Sequence, residues 1–140
     1  VGTKKKIAKE LSTVMPKIVR MIVLKFTKNY QHLPPAQIFA LLLMADVRQL
    51  KFSQFVKQLN VSAPTASVIV SRLVKQGMIK RLADMSDKRA VTVALTARGM
   101  KAAREIKKSI QKQWCLILEV LTVRECQEYL AIVRKIADRI

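Results

Sequence analysis

Glycine and proline are scarce in this chain, three and four among 140 residues, which argues against a sandwich of sheets joined by many tight turns and for long uninterrupted helices. Acids are scarce as well: nine Asp and Glu stand against 27 Lys and Arg, for a formal net charge of +18. His32 is the only histidine. That leaves no material for a histidine-based metal site or for a Ser-His or Cys-His nucleophile pair. Cys115 and Cys126 sit eleven residues apart in helical patterns, without CxxC spacing, and read as inert buried thiols. There is no phosphate-cradling glycine loop either, so neither an enzyme nor a cofactor is expected. The longest wholly apolar run, Ile38 to Ala45, is eight residues, far short of the about 20 that a membrane helix needs. Lys4 to Lys6 are followed by no clean apolar stretch or small-residue cleavage site, so no secretory signal is expected and the chain reads as soluble and cytoplasmic.

Hydrophobic residues make up 51% of the chain, enough for one domain with a real core. The charge is unevenly spread. Residues 1–47 carry +6, residues 48–104 carry +10 and residues 105–140 carry +2. A basic excess of this size on a small domain points to a polyanionic partner, and its peak in the middle locates the contact.

Ile7, Leu11, Val14, Ile18 and Met21 recur at helical spacing, with Pro16 expected to kink the helix or to start a fresh one capped by Ser12 or Thr13. Pro34 and Pro35 suit a turn and the first turn of a second helix, apolar on nearly every side from Ile38 to Ala45. Asp46 to Lys51 reads as a polar connection, and Ser53 as the cap of a short helix that turns Phe55, Val56 and Leu59 inward and ends at Asn60. Ser62 is a good N-cap, with Pro64 in the first turn and Gly77 at the left-handed position past the end. Between them Ala66, Ile69, Val70 and Leu73 share one face. The opposite face holds Pro64, Ser67, Val68, Ser71, Arg72 and Lys75, small or cationic residues without a carboxylate. Such a thin, acid-free face can enter a groove lined with phosphates, as a recognition helix does.

The period then changes to two. Residues 79–83 and 90–95 flank the polar stretch 84–89 and predict a hairpin wing. After Thr96 a long helix is expected through Met100, Ala103, Ile106, Ile110, Trp114, Ile117 and Leu121, with Lys101, Arg104, Lys108 and Lys112 on its other face. Thr122 to Glu125 has capping-box spacing and starts a last helix, expected to bury Cys126, Tyr129, Leu130, Val133, Ile136 and Ile140. The apolar stripes on residues 7–26, 100–121 and 126–140 exceed what one small globule can cover, which predicts a dimer.

Several segments resemble the MarR family of multiple-antibiotic-resistance regulators. Leu33-Pro34-Pro35-Ala36-Gln37 is similar to the family's Leu-Thr-x-x-Gln, and residues 52–62 look like its first helix-turn-helix arm. Leu73 to Arg81 resembles Leu-x-x-x-Gly-Leu-Ile-x-Arg. Asp87-Lys88-Arg89 with Leu95-Thr96-Ala97-Arg98-Gly99 resembles the wing signature Asp-x-Arg…Leu-Thr-x-x-Gly. The resemblance covers residues 33–99 without a gap.

It implies a mainly α winged helix-turn-helix with a small β-hairpin wing, in a single domain over residues 1–140. Residues 1–32 would be an N-terminal dimerisation helix, 33–99 the winged helix-turn-helix and 100–140 the C-terminal dimerisation helices. It further implies a sequence-specific dimeric regulator on a pseudo-palindromic duplex, a repressor released by a small ligand or oxidant. The effectors of the family suggest a small aromatic or anionic compound, and the lone histidine disfavours a metal.

Ala63, Pro64, Thr65, Ser67 and Val68 would meet base edges, and Ser71, Arg72 and Lys75 would clamp phosphates. Val68 departs from the long polar or basic residue that relatives often carry. It can touch a thymine methyl but cannot make a bidentate bond to guanine, so more specificity would fall to DNA shape. Arg89 would enter the minor groove, with Asp87 positioning it; Lys88, with Lys51, Lys57, Lys80, Arg81 and Arg98, is a candidate for backbone contact, and Arg81 for an intramolecular salt bridge. The alternative is a non-specific nucleic-acid or nucleoid architectural protein, which the charge alone would support.

Overall fold

The computed structural model describes residues 2–26, 29, 30, 32–83 and 90–140. Among them the elements run α1 (Gly2–Phe26), α2 (Pro35–Val47), β1 (Gln49–Lys51), α3 (Phe52–Leu59), α4 (Ala63–Lys75), β2 (Ile79–Ala83), β3 (Val91–Leu95), α5 (Ala97–Leu118) and α6 (Val123–Ala137). This is the expected mainly α fold with a small antiparallel sheet. The chain divides into two compact units, residues 26–109 and residues 1–25 with 110–140. No helix among the described residues is long and apolar enough to cross a membrane.

The first unit is built around α2, where Ile38, Ala40, Leu41 and Met44 are buried. Pro34 precedes the helix with φ −59° and Pro35 opens it, so the missing N–H falls where no helical partner exists. At its far end Arg48 takes a positive φ of 65°, a conformation costly for a side chain with a Cβ. This bend turns the chain into β1, and the Arg48 carbonyl accepts a bond of 2.9 Å from the Leu95 amide. The expected polar connection is therefore a third strand. The sheet order is β1-β3-β2, with Leu50 opposite Val93 and Arg81 opposite Val93 on the other side. Three residues are too short to display a period of two, which is why β1 is not visible in the pattern.

Phe55 on α3, Val70 and Leu73 on α4, Ile79, Val93 and Ile106 complete a core of side chains hardly touched by solvent. Ser53 does not cap α3; Lys51 holds that position without a side-chain bond, because β1 delivers the chain directly into the helix. Asn60 ends α3 in the left-handed conformation, as expected.

In the second unit α1 is continuous through Pro16. Ser12 and Thr13 do not cap a new start. Their hydroxyls donate back to the Lys9 carbonyl at 2.6 and 3.3 Å, inside the helix. A proline forfeits one backbone bond, and the helix goes on around that gap. Thr122 and Glu125 form the expected capping box at the start of α6. The Trp114 and Tyr129 rings meet at 6.1 Å, beside an apolar cavity of about 530 Å³ between the end of α5 and α6.

No residue of α6 is buried, against expectation. Leu130, Ile132 and Ile136 remain about half exposed, as do Ile7, Leu11 and Val14 on α1. The stripes are at the expected positions, and within a single chain nothing covers them. Cys115 is exposed and Cys126 half-buried, its thiol 3.8 Å from the Leu118 carbonyl, so the expectation of two buried thiols is met by neither.

Candidate nucleic-acid interface

Helix α4 is defined tightly at both ends. Ser62 is extended (φ −68°, ψ 155°) and its Oγ accepts from the Thr65 amide at 3.3 Å while donating to Thr65 Oγ1 at 2.8 Å. At the other end the Gly77 amide donates to the Val74 carbonyl at 3.0 Å and the Met78 amide to the Leu73 carbonyl at 2.9 Å. These are the two bonds of a Schellman stop, which needs a left-handed residue, and Gly77 supplies it with φ +74°.

Ala66, Ile69, Val70 and Leu73 are buried, so rotation of the helix about its axis is fixed by the core. The other side is thereby committed to solvent: Ala63, Pro64, Thr65, Ser67, Val68, Ser71, Arg72 and Lys75 are all exposed. These eight are the α4 residues singled out from the sequence, and one helix face gathers most of them. The acid-free composition leaves the positive N-terminal end of the helix dipole uncompensated, a favourable place for phosphate.

The wing strands are coupled to this helix. Arg81 on β2 donates from Nη2 to Ser71 Oγ at 2.8 Å. The expected salt bridge of Arg81 is replaced, among the described residues, by this bond to a hydroxyl. Thr96 ties the start of α5 to the same corner, donating to the Gly77 carbonyl at 2.5 Å and accepting from the Gly99 amide at 3.0 Å. A Cβ on Gly99 would stand 1.9 Å from the Met78 carbonyl oxygen, so that approach of helix to backbone requires glycine.

Asp87, Lys88 and Arg89 lie outside the described residues. Lys51, Lys57, Lys80 and Arg98 are exposed. Among the described residues the ion pairs are Lys107 with Asp46 at 2.7 Å and Arg124 with Glu128 at 3.2 Å, so Arg72, Lys75 and Lys80 keep their charge unpaired. No group of His, Cys, Asp and Glu among the described residues could hold a metal.

One polar site escaped the sequence reading. Tyr30 donates to the Glu105 carboxylate, and burial together with that carboxylate pushes the phenol up to about 12. The partners are 75 residues apart, and no local spacing announces such a pair.

Residues 33–91 match the family model described as MarR family. Over 79 residues the chain is 33% identical to the HTH-type transcriptional regulator FarR of Neisseria gonorrhoeae. The match takes in 56% of this chain and 54% of that protein, so the chain spans about half the length of the curated relative it matches. Among solved structures it is similar to a MarR family protein from Bacillus stearothermophilus, with a TM-score of 0.83 at 19% identity over 98% of this chain and 94% of that one. It is also similar to a mutant MarR from E. coli complexed with operator DNA, with a TM-score of 0.75 at 21% identity over 94% and 93%. At these identities the structures establish the fold.

Proposed function

From the MarR-family winged helix of residues 33–91 we propose that this chain is a sequence-specific, dimeric DNA-binding transcription regulator, a cytoplasmic repressor released by a small ligand or an oxidant. The observation that carries the reading is the exposed, acid-free face of α4, held in rotation by its buried side and joined to the wing by Arg81 and Ser71. Ala63, Pro64, Thr65, Ser67 and Val68 face base edges in the major groove, and Ser71, Arg72 and Lys75 hold the phosphates beside it. Asp87, Lys88 and Arg89 take the wing role that the sequence resemblance gives them, with the arginine in the minor groove.

The half-exposed apolar side chains on α1 and α6 support a homodimer, because stripes of this length are covered by a second copy at little cost. In this arrangement residues 1–32 and 100–140 serve dimerisation and residues 33–99 read DNA. Two recognition helices related by a two-fold axis then require a pseudo-palindrome with half-sites about 34 Å apart. A strongly cationic chain favours an anionic aromatic effector. Oxidant release would run through Cys115 or Cys126, and peroxide would then free DNA from the wild type but not from the Cys115→Ser, Cys126→Ser double variant.

A random duplex library presented to the protein at about 150 mM salt tests the reading. Enrichment of a pseudo-palindrome is expected. Binding without enrichment, vanishing as salt rises, would point to the second reading, non-specific architectural binding, which the charge of +18 favours.

A further inference from the structure

Val68 is out of place by the ordinary rules of a solvent-facing helix. It sits in the middle of the exposed face of α4, one turn after Pro64 and one before Arg72, and is 49% exposed although apolar. A β-branched residue there weakens the helix slightly relative to alanine, and about half of its surface remains open to a partner.

Its neighbours show what it can do. From Ala63 to Ser71 the exposed side chains include no Arg, Lys, Asn, Gln, Asp or Glu. Those are the residues whose forks and carboxylates tell guanine, adenine and cytosine apart in the major groove. What remains is hydroxyl groups, which accept several bases, and methyl groups, which match one feature alone, the C5-methyl of thymine. Val68 offers two methyls on a side chain that in a helix holds almost a single χ1 rotamer, so its direction is fixed before contact. The Ser62 cap and the buried face of α4 fix the backbone beneath it.

We infer that Val68 is a specificity-determining residue that reads the 5-methyl group of a thymine in each half-site, making base recognition by this helix methyl-dependent rather than hydrogen-bond-dependent. The inference rests on the DNA-reading function proposed above.

The test uses the full chain and the duplex it enriches from the random library, resynthesised with single thymines replaced by deoxyuridine, which lacks only the methyl. Replacing the contacted thymine in one half-site should weaken wild-type binding about fourfold, the equivalent of about 0.8 kcal/mol for one buried methyl group, and replacing it in both about fifteenfold. Val68→Ala, which loses the contact in both half-sites, should bind the thymine duplex about fifteenfold more weakly and no longer distinguish deoxyuridine. Enrichment of a duplex in which no thymine responds to loss of its methyl, or a Val68→Ala protein that keeps the methyl preference, overturns this inference and leaves the regulator reading standing. A library that yields no preferred duplex overturns both.

Discussion

Arg81 on strand β2 donates to Ser71 on helix α4 at 2.8 Å, so the two parts of the candidate DNA interface are joined through a single hydroxyl. The bond is solvent-exposed and charge-assisted, which puts its worth near the lower end of about 1–3 kcal/mol. The bond links β2 to α4, so its loss is expected to loosen the angle between the wing and the helix. Ser71→Ala and Arg81→Ala are each expected to weaken operator binding about threefold to tenfold. The double variant should lose less than the sum of the two single losses, because both single changes remove the same bond while the proposed phosphate contact of Ser71 is lost only once. Fluorescence anisotropy on the four proteins measures the coupling. Strictly additive losses would mean that the bond between Arg81 and Ser71 does not contribute to binding.

Gly99 provides a test of the corner that supports this helix. An alanine in an exposed helix interior normally stabilises by about 1 kcal/mol relative to glycine. Here its Cβ would lie 1.9 Å from the Met78 carbonyl, and that carbonyl is held by a 3.0 Å bond from the Thr96 amide. The sign therefore reverses. Gly99→Ala should destabilise by about 1–3 kcal/mol, as forced overpacking does. Thermal unfolding should show a loss of at least about 3 °C for a chain of this size. An unchanged or raised Tm would show that the α5 terminus can move away at no cost.

The contrast between these two corners explains what the sequence could and could not disclose. Gly77, Ser62 and Thr122 were legible because each acts on amides within a few residues of itself, and their bonds fall where the spacing places them. The exposed face of α4 was legible for the same reason: one periodicity sets both its sides. Strand β1 was not, since its pairing with β3 joins residues more than 40 positions apart and its three residues carry no pattern. The Ser53 cap failed because an incoming strand, not a side chain, starts α3. Pro16 starts no fresh helix, because a long helix can absorb the one backbone bond that a proline forfeits. The apolar stripes of α1 and α6 were placed correctly, but their burial was not, since several of their side chains stay about half exposed in the single chain.

Tyr30 gives the chain a distinctive alkaline titration. Its phenol is raised from 10.0 to about 12, first by burial and then by the hydrogen bond to Glu105 and that carboxylate's charge. The folded state thus holds the proton more tightly than the unfolded chain. The resulting stabilisation is complete below about pH 10, and is lost as pH rises from 10 through about 12. Absorbance titration of phenolate should show one tyrosine ionising near pH 12 that is missing in Tyr30→Phe. Denaturant midpoints of the wild type should fall between pH 10 and 12 more steeply than those of the variant. Parallel pH profiles for the two proteins would show that the Tyr30 proton does not contribute to folding.

Arg89 carries the heaviest expectation from the sequence. Strands β2 and β3 end opposite one another at Ala83 and Val91, and Arg89 belongs to the segment between them in the sequence, outside the described residues. The proposed role of its guanidinium is to enter a narrow minor groove, where A·T-rich tracts concentrate negative potential. An arginine in such a groove is worth more than one at an open phosphate, since it is attracted by both strands and sheds little hydration. Arg89→Ala should therefore weaken binding to the selected duplex at least about tenfold at about 150 mM salt and lower the salt slope by about one. Arg72→Ala, a phosphate contact, should lower the slope similarly but weaken all sequences alike. The two variants separate on preference: Arg89→Ala should lose discrimination for A·T-rich flanks, and Arg72→Ala should keep it. Retained affinity in Arg89→Ala at physiological salt would remove the wing from the interface and leave recognition to α4 alone.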